Sequence, residues 1–355
     1  MAKIRICIVT DAWHPQINGV VTTLSRTAAT LEAWGHGVKL ITPAQFRTVA
    51  CPTYPDIKLS LLLPGTIRKI LADFAPNAVH IATEGPLGWA ARSACGKLGL
   101  RFTTSYHTRF PEYVRLRWPV PLSVSYLVVK CFHGRATRTM VAPTLIDELR
   151  RRGFNNLAPW SRGVDTELFK PRDKDYLHLA HPIFLYAGRV AVEKNLPAFL
   201  NLTLPGSKVV VGDGPALAHL KRRYPEVLFT GAKRGVELAR HMASADVFVF
   251  PSLTDTFGVV LLEAMACGVP VAAYPVTGPR YIVKNGINGY LDTDLGRAAI
   301  QALELTGLQS RLFARDFTWE SCSKQFFGNL VLQAVVDPVS HGDQQQEVER
   351  GNTTV

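Results

Sequence analysis

The sequence predicts an α/β protein built from two doubly wound, Rossmann-like domains that face each other across a cleft. Three observations predict it. The chain has 355 residues, enough for two domains of ordinary size. Short β-branched runs alternate with helical patterns, which argues for parallel sheets covered on both faces. The alternation then restarts after a polar, turn-rich stretch at 161–182 that holds Gly163, Pro171 and Pro182. With 47% hydrophobic and 19% charged residues the chain can bury two cores, which excludes a disordered chain or a disulfide-stapled module.

The elements follow in order. In the first half, the short β-branched runs at residues 4–9, 38–41, 79–81, 102–106 and 140–142 read as strands. Residues 21–34 and 144–152 repeat at helical spacing, and Gly153 stops the second. In the second half, residues 183–186, 208–211, 227–229, 247–250 and 269–273 read as strands, and 236–243 and 260–266 as helices. This gives one domain over 1–165 and another over 166–316. Beyond about Asp337 the chain turns polar, and 338–355 is expected to be a disordered tail. Ligands of doubly wound sheets sit beyond the carboxyl ends of the strands, so two facing sets of ends make a cleft suited to a substrate.

Charge is unevenly placed. The formal net charge is +12, and residues 1–165 hold 21 Lys+Arg against 9 Asp+Glu, whereas residues 166–355 hold 19 of each. A basic excess attracts phosphate on nucleic acid, on an anionic bilayer or on a substrate. Arg109, Arg115, Arg117, Lys130, Arg135 and Arg138 frame the apolar, aromatic stretch 118–132. That stretch is either a core helix with solvated basic flanks or a surface that settles on anionic headgroups. The six cysteines are scattered without C-x-x-C or metal-ligand spacing, which fits reduced apolar fillers in a cytosolic protein. Residues 4–10 are too short for a secretory signal, and no run of about 18 apolar residues escapes a charge or a breaker. A soluble or peripheral protein made in the cytoplasm is expected.

Two stretches of the second half carry the strongest chemistry. In 251–264 a strand ends, a loop holds Asp255, and a helix opening near Gly258 carries Glu263. Amides at a helix N-terminus suit a diphosphate, and the two carboxylates can accept from separate hydroxyls of a sugar nucleotide. An N-cap and an ordinary helix charge would be the plainer reading, but an acid set within 261–266 needs a partner if it is buried. In 186–195 a strand runs into a glycine turn and then Arg189 and Lys194, two cations able to neutralise a departing nucleoside diphosphate. In the first half, Asn18-Gly19 before a helix permits close backbone approach to a phosphate or sugar. No G-x-G-x-x-G follows the first strand, which counts against a dinucleotide-dependent dehydrogenase. His107, just after a strand, is a candidate for the cleft, and Gly212-Asp213-Gly214 is a tight turn first and a ligand loop second.

Together these residues resemble glycosyltransferase family 4, the retaining enzymes of GT-B fold, over nearly the whole chain to about residue 335. The marks are Asn18-Gly19-Val20, Ser105-Tyr106-His107-Thr108, Gly163-Val164-Asp165, Gly188-Arg189 with Glu193-Lys194-Asn195, residues 211–215 and the Asp255 to Glu263 element. The resemblance implies a nucleotide-sugar, with a uridine or guanosine base, gripped by the second domain. Arg189 and Lys194 would hold its diphosphate, Glu263 its ribose, and Gly231 and Ala232 would edge the base. Asp255 and the amides of Phe257, Gly258 and Val259 would meet the donor, with Gly19 near the phosphates and His107 beside the sugar. Residues 317–337 would form a last helix that crosses back to the first domain. No metal or other cofactor is implied.

Two departures from the family pattern matter. Asp255 stands where Glu is usual, and Gly278-Pro279 is followed by Arg280-Tyr281 rather than an acid. The basic first domain and residues 104–113 resemble lipid-modifying bacterial members, such as those that glycosylate diacylglycerol. Arg109, Tyr113, Arg115, Arg117 and Trp118 are then expected at the acceptor or an anionic membrane surface, with the protein peripheral on the inner face of the cell membrane. A saccharide acceptor in polysaccharide assembly is the alternative, and a nucleotide-sugar epimerase of the same fold a more distant one. A nucleic-acid binder would explain the charge but not the Arg189, Lys194, Asp255 and Glu263 set.

Overall fold

The computed structural model describes residues 3–16, 19–51, 54–63, 65–115 and 118–333. Asn18, Arg117, the end of the expected last helix and the expected tail at 338–355 lie outside them.

The first sheet contains β1 (Arg5–Val9), β2 (Gly37–Ile41), β5 (Ala78–Ile81), β6 (Thr103–Tyr106), β7 (Arg138–Val141) and β8 (Leu157–Pro159). Their order is β2-β1-β5-β6-β7-β8, with every pair parallel. The intervening β3 (Thr48–Cys51) and β4 (Tyr54–Ser60) form a separate antiparallel hairpin. The second sheet contains β9 (Ile183–Ala187), β10 (Ser207–Val211), β11 (Leu228–Gly231), β12 (Val247–Phe250), β13 (Val271–Ala273) and β14 (Gly289–Leu291). It runs β11-β10-β9-β12-β13-β14, again all parallel. That is the strand order of a dinucleotide-type Rossmann sheet, and its direction reverses between β9 and β12.

The central strands explain their own sequence. Every residue of β5, β6, β9 and β12 is buried, because helices cover both faces, so β9 and β12 read as continuous apolar runs rather than alternating ones. The polar exceptions are satisfied internally: His80 bonds Thr103 and Ser105, and Thr104 bonds Thr139 and His133.

The stretch at 161–182, expected as a plain linker, is tied down at its start. Val164 N–H donates to Phe317 O at 2.9 Å, and Val164 bridges Thr318 in parallel. A Cβ on Gly163 would lie 2.6 Å from the Trp319 backbone nitrogen, so only glycine fits where the crossover strand meets the last helix. That helix, Trp319–Asn329, begins on an N-cap in which Thr318 accepts from Ser321 N–H. It lies on the first domain, packing Cys322 and Phe326 into a core with Ile6, Ile8, Leu24, Leu31 and Trp160. Trp160 Nε1 donates to Cys322 O at 3.2 Å.

Candidate functional site

The reversal point of the second sheet sits between the carboxyl ends of β9 and β12. The first end leads through Gly188 and Arg189 into the short turn Val192–Lys194; the second leads into the loop of Asp255. The two are joined directly. Lys194 Nζ donates to both carboxylate oxygens of Asp255, at 2.6 and 2.9 Å, with both side chains less than a fifth exposed. Burial pushes the Lys194 ammonium down, and the Asp255 carboxylate with Tyr113 and Tyr186 more than reverses it, so the group lies above its ordinary value. Lys194 is a fixed cation.

After Asp255, Gly258 takes a left-handed conformation (φ +84°) and becomes the N-cap of the helix Val259–Ala266. No ordinary residue adopts that φ without strain, so glycine here turns the loop sharply enough to aim the helix N-terminus into the cleft. Glu263 lies on the second turn of this helix, half-buried, with no hydrogen-bond or ion-pair partner among the described residues. Burial pushes its carboxyl up to about 7. Its ionised form, with its oxygens unsatisfied by the described residues, can accept from incoming hydroxyls. Phe257 is buried, its ring against Tyr281 and Phe317, which leaves its backbone rather than its side chain for a ligand. Gly231 ends β11 and Ala232 follows it on the same carboxyl edge, two strands from β9.

The first domain supplies the opposite wall. Gly19 opens the helix Gly19–Ala33, and a Cβ there would sit 3.7 Å from Val259 Cγ2, so two helix N-termini meet across the cleft. His107 is buried, and its carbonyl accepts from Thr256 Oγ1 at 2.8 Å. Its ring nitrogens are engaged by Ser105 Oγ (2.8 Å) and Arg162 Nη2 (3.0 Å). Burial, with Arg162, His80 and His133 adding to it, holds the imidazole well below its ordinary value. Tyr113 reaches across to hydrogen-bond Thr254 beside Lys194 and Asp255.

The residues expected at an acceptor or membrane surface divide. Arg109 does not face solvent: it forks onto Glu148 (3.2 and 2.5 Å) and donates to Thr277 Oγ1 of the second domain at 2.7 Å. An arginine so held bolts the domains together instead of meeting a headgroup. Arg115 is exposed, Trp118 is 46% exposed, and Arg117 lies outside the described residues. Close to them the helix Leu122–His133 buries Tyr126, Val129 and Phe132 and leaves Val124, Leu127 and Val128 exposed. The stretch 118–132 is therefore a core helix on one face and an apolar surface on the other.

Sequence reading passed over several residues of this region. Arg162 stands one place before Gly163-Val164-Asp165 in the turn-rich 161–182 stretch, Glu112 and Thr256 lie unremarked inside 104–113 and 251–264, and Glu148 and Thr277 carry no motif. Their only signal is proximity, which the fold creates. Among the described residues no group of three or more His, Cys, Asp or Glu could hold a metal ion.

Comparison with known proteins gives concordant matches. The family described as Glycosyltransferase Family 4 matches residues 17–168, and that described as Glycosyl transferases group 1 matches residues 181–305. A GDP-mannose-dependent alpha-mannosyltransferase of Corynebacterium glutamicum is 30% identical over 315 residues, covering 81% of this chain and 76% of that protein. An alpha-monoglucosyldiacylglycerol synthase of Streptococcus pneumoniae is 25% identical, covering 98% and 89%. The solved sucrose-phosphate synthase of Thermosynechococcus elongatus superposes with a TM-score of 0.71 at 22% identity, over 92% of this chain and 98% of that one.

Proposed function

We propose a reaction for this chain on the premise that it belongs to glycosyltransferase family 4 and is a nucleotide-sugar-dependent hexosyltransferase of GT-B fold. It transfers a sugar from a UDP- or GDP-sugar to the hydroxyl of a membrane lipid such as diacylglycerol, with retention of anomeric configuration and without a metal.

The observation that carries the donor half is the group at the second sheet's reversal point: Lys194 paired to Asp255, with Glu263 on the following helix unpaired among the described residues. A donor arriving here offers Lys194 a diphosphate and Asp255 a sugar hydroxyl, so the bidentate pair is exchanged for two contacts with one ligand. Arg189 and Lys194 then stabilise charge as it grows on the leaving diphosphate. The amides at the start of the helix Val259–Ala266 face the same region, and the ribose hydroxyls satisfy Glu263. The acceptor hydroxyl enters from the first domain, on the face that the diphosphate leaves. Holding both in register supplies much of the acceleration.

The acceptor half is supported by the outer face of the helix Leu122–His133. Val124, Leu127 and Val128 are exposed at helical spacing, with Trp118 and Phe110 exposed nearby and Arg115 and Lys130 among them. An apolar stripe set among cations fits an anionic bilayer. The resemblance to a diacylglycerol-glycosylating enzyme points the same way.

The test incubates the protein with UDP-glucose, UDP-galactose, UDP-glucuronate or GDP-mannose and diacylglycerol in anionic micelles, following diphosphate release and new glycolipid. Glycolipid from one donor, abolished by Lys194→Ala, is the expected result. Diphosphate release without glycolipid would replace the lipid with a saccharide acceptor.

A further inference from the structure

Arg162 is buried at the junction of the two domains and has no carboxylate partner among the described residues. Its Nη1 donates to the carbonyls of Trp160 (2.9 Å) and Ser161 (2.8 Å), and its Nη2 to His107 Nδ1 (3.0 Å). The guanidinium lies over the Trp160 ring at 4.6 Å and within 5.9 Å of the Phe257 ring on the donor-side loop. Burial pushes its pKa down to about 10, with Cys322 opposing, so the charge persists at neutral pH. A buried cation without a counter-charge is unfavourable, and its persistence calls for something that its contacts accomplish.

Those contacts fix a proton. Arginine only donates, so His107 Nδ1 must be the accepting nitrogen and the ring proton must sit on Nε2. From there it is donated to Ser105 Oγ at 2.8 Å, and Ser105 in turn donates to Ala82 O at 3.2 Å. His80 also contacts Ser105 Oγ, through Nε2 at 3.1 Å, and is itself pushed down to about 3 by burial and His133. The charged and titratable neighbours of the His107 ring are thus Arg162 from the crossover, His80 from β5 and His133 from the helix Leu122–His133. Both ring nitrogens are committed, so His107 acts by where it stands and not by moving a proton.

We propose that Arg162 is a positioning residue for sugar transfer: it locks His107 as the neutral Nε2–H tautomer and, through its other face on Phe257, keeps that ring in register with the donor-sugar loop. The proposal rests on reading the Asp255 to Glu263 loop as the donor grip.

The test uses the full chain with Arg162→Gln and Arg162→Lys, and assigns the His107 signal by its loss in His107→Asn. In long-range ¹H–¹⁵N spectra the unsubstituted protein should show His107 as Nε2–H throughout about pH 5.5–8. Arg162→Gln removes the donor that obliges Nδ1 to accept, and one of the charges that add to burial in opposing protonation, so the ring should lose its single Nε2–H form within that window. Its transfer rate should fall roughly ten- to hundred-fold, most on the acidic side, the scale of a small misplacement. Affinity for UDP or GDP should stay within about three-fold. Arg162→Lys should restore much of the tautomer and flatten the pH profile, and it provides the same readouts should the Gln variant fail to fold. A His107 carrying its proton on Nδ1 in the unsubstituted protein overturns the proposal, as does a Gln variant whose histidine spectrum and pH profile match it. Failure of the donor reading itself would appear elsewhere, as UDP and GDP affinity untouched by Lys194→Ala.

Discussion

At Glu263 the demands of folding and of binding pull in opposite directions. Its carboxyl is raised to about 7 in the folded chain, against an ordinary value of 4.5. Between those values the folded state holds a proton that the unfolded state has released, so stability falls as pH rises through the window and is lowest above it. Glu263→Gln should therefore raise the melting temperature more at pH 8 than at pH 5, by an amount equivalent to roughly 2–3 kcal/mol. The same variant should lose nucleotide-sugar affinity about ten-fold or more, since an amide replaces a strong acceptor. Donor binding favours the ionised form, so in the unsubstituted protein affinity should drop as pH falls below about 7. Titration calorimetry with UDP and GDP at several pH values reads both effects. The sequence made Glu263 legible because an acid among 261–266 contradicts its apolar surroundings. It could not announce Arg162, whose neighbours His107 and Phe257 are distant in the chain, and a basic residue beside a turn looks like a solvated one.

The helix Leu122–His133 shows how far an element can be read from its pattern. Its apolar residues cover more than one face, so periodicity alone does not decide between a core helix and a docking surface. The fold resolves this by placing Tyr126, Val129 and Phe132 inward and Val124, Leu127 and Val128 outward. The inward face also anchors the cleft: Tyr126 donates to Glu112 Oε1 at 2.7 Å, and Glu112 lies 3.6 Å from Arg109, which reaches Thr277. Leu127→Asp should weaken binding to anionic vesicles about ten-fold or more with little change in melting temperature, because Leu127 is 68% exposed and touches little core. Arg115→Glu should do the same through charge alone, and a larger share of its effect should fade as salt is raised. Vesicle co-sedimentation separates the two, and unaltered binding in the double variant would remove the bilayer as the partner of this face. The β3–β4 hairpin was not legible at all, since Thr48–Cys51 are exposed or half-exposed and the hairpin's sequence carries no recognised turn pair.

For the whole molecule, the sequence conveyed the two sheets and their restart, because parallel strands buried on both faces are mostly apolar or β-branched. What it left out is how the halves are joined. The crossover at Gly163 passes against the Trp319 backbone so closely that any Cβ collides, and Gly163→Ala should lower the melting temperature by several degrees. The domains also touch through Thr256 with His107 and Thr144, and through Arg109 with Thr277. Arg109→Met should loosen this closed arrangement, seen as faster hydrogen exchange in the helix Thr277–Ile282 and a higher KM for the acceptor.

The return of the helix Trp319–Asn329 to the first domain also sets an order of events during synthesis. Trp160 lies under a segment made 162 residues later, at Cys322, and the same segment brings Phe326 against Ile6 and Ile8. At ordinary translation speeds that is a delay of roughly 8–32 s. For that interval the half of the chain born first keeps an apolar wall open to the cell while the second half is still emerging. The earliest-made domain is thus the last to be sealed, and a truncation before Trp319 should leave the older half, rather than the younger, exposed to chaperones and proteases.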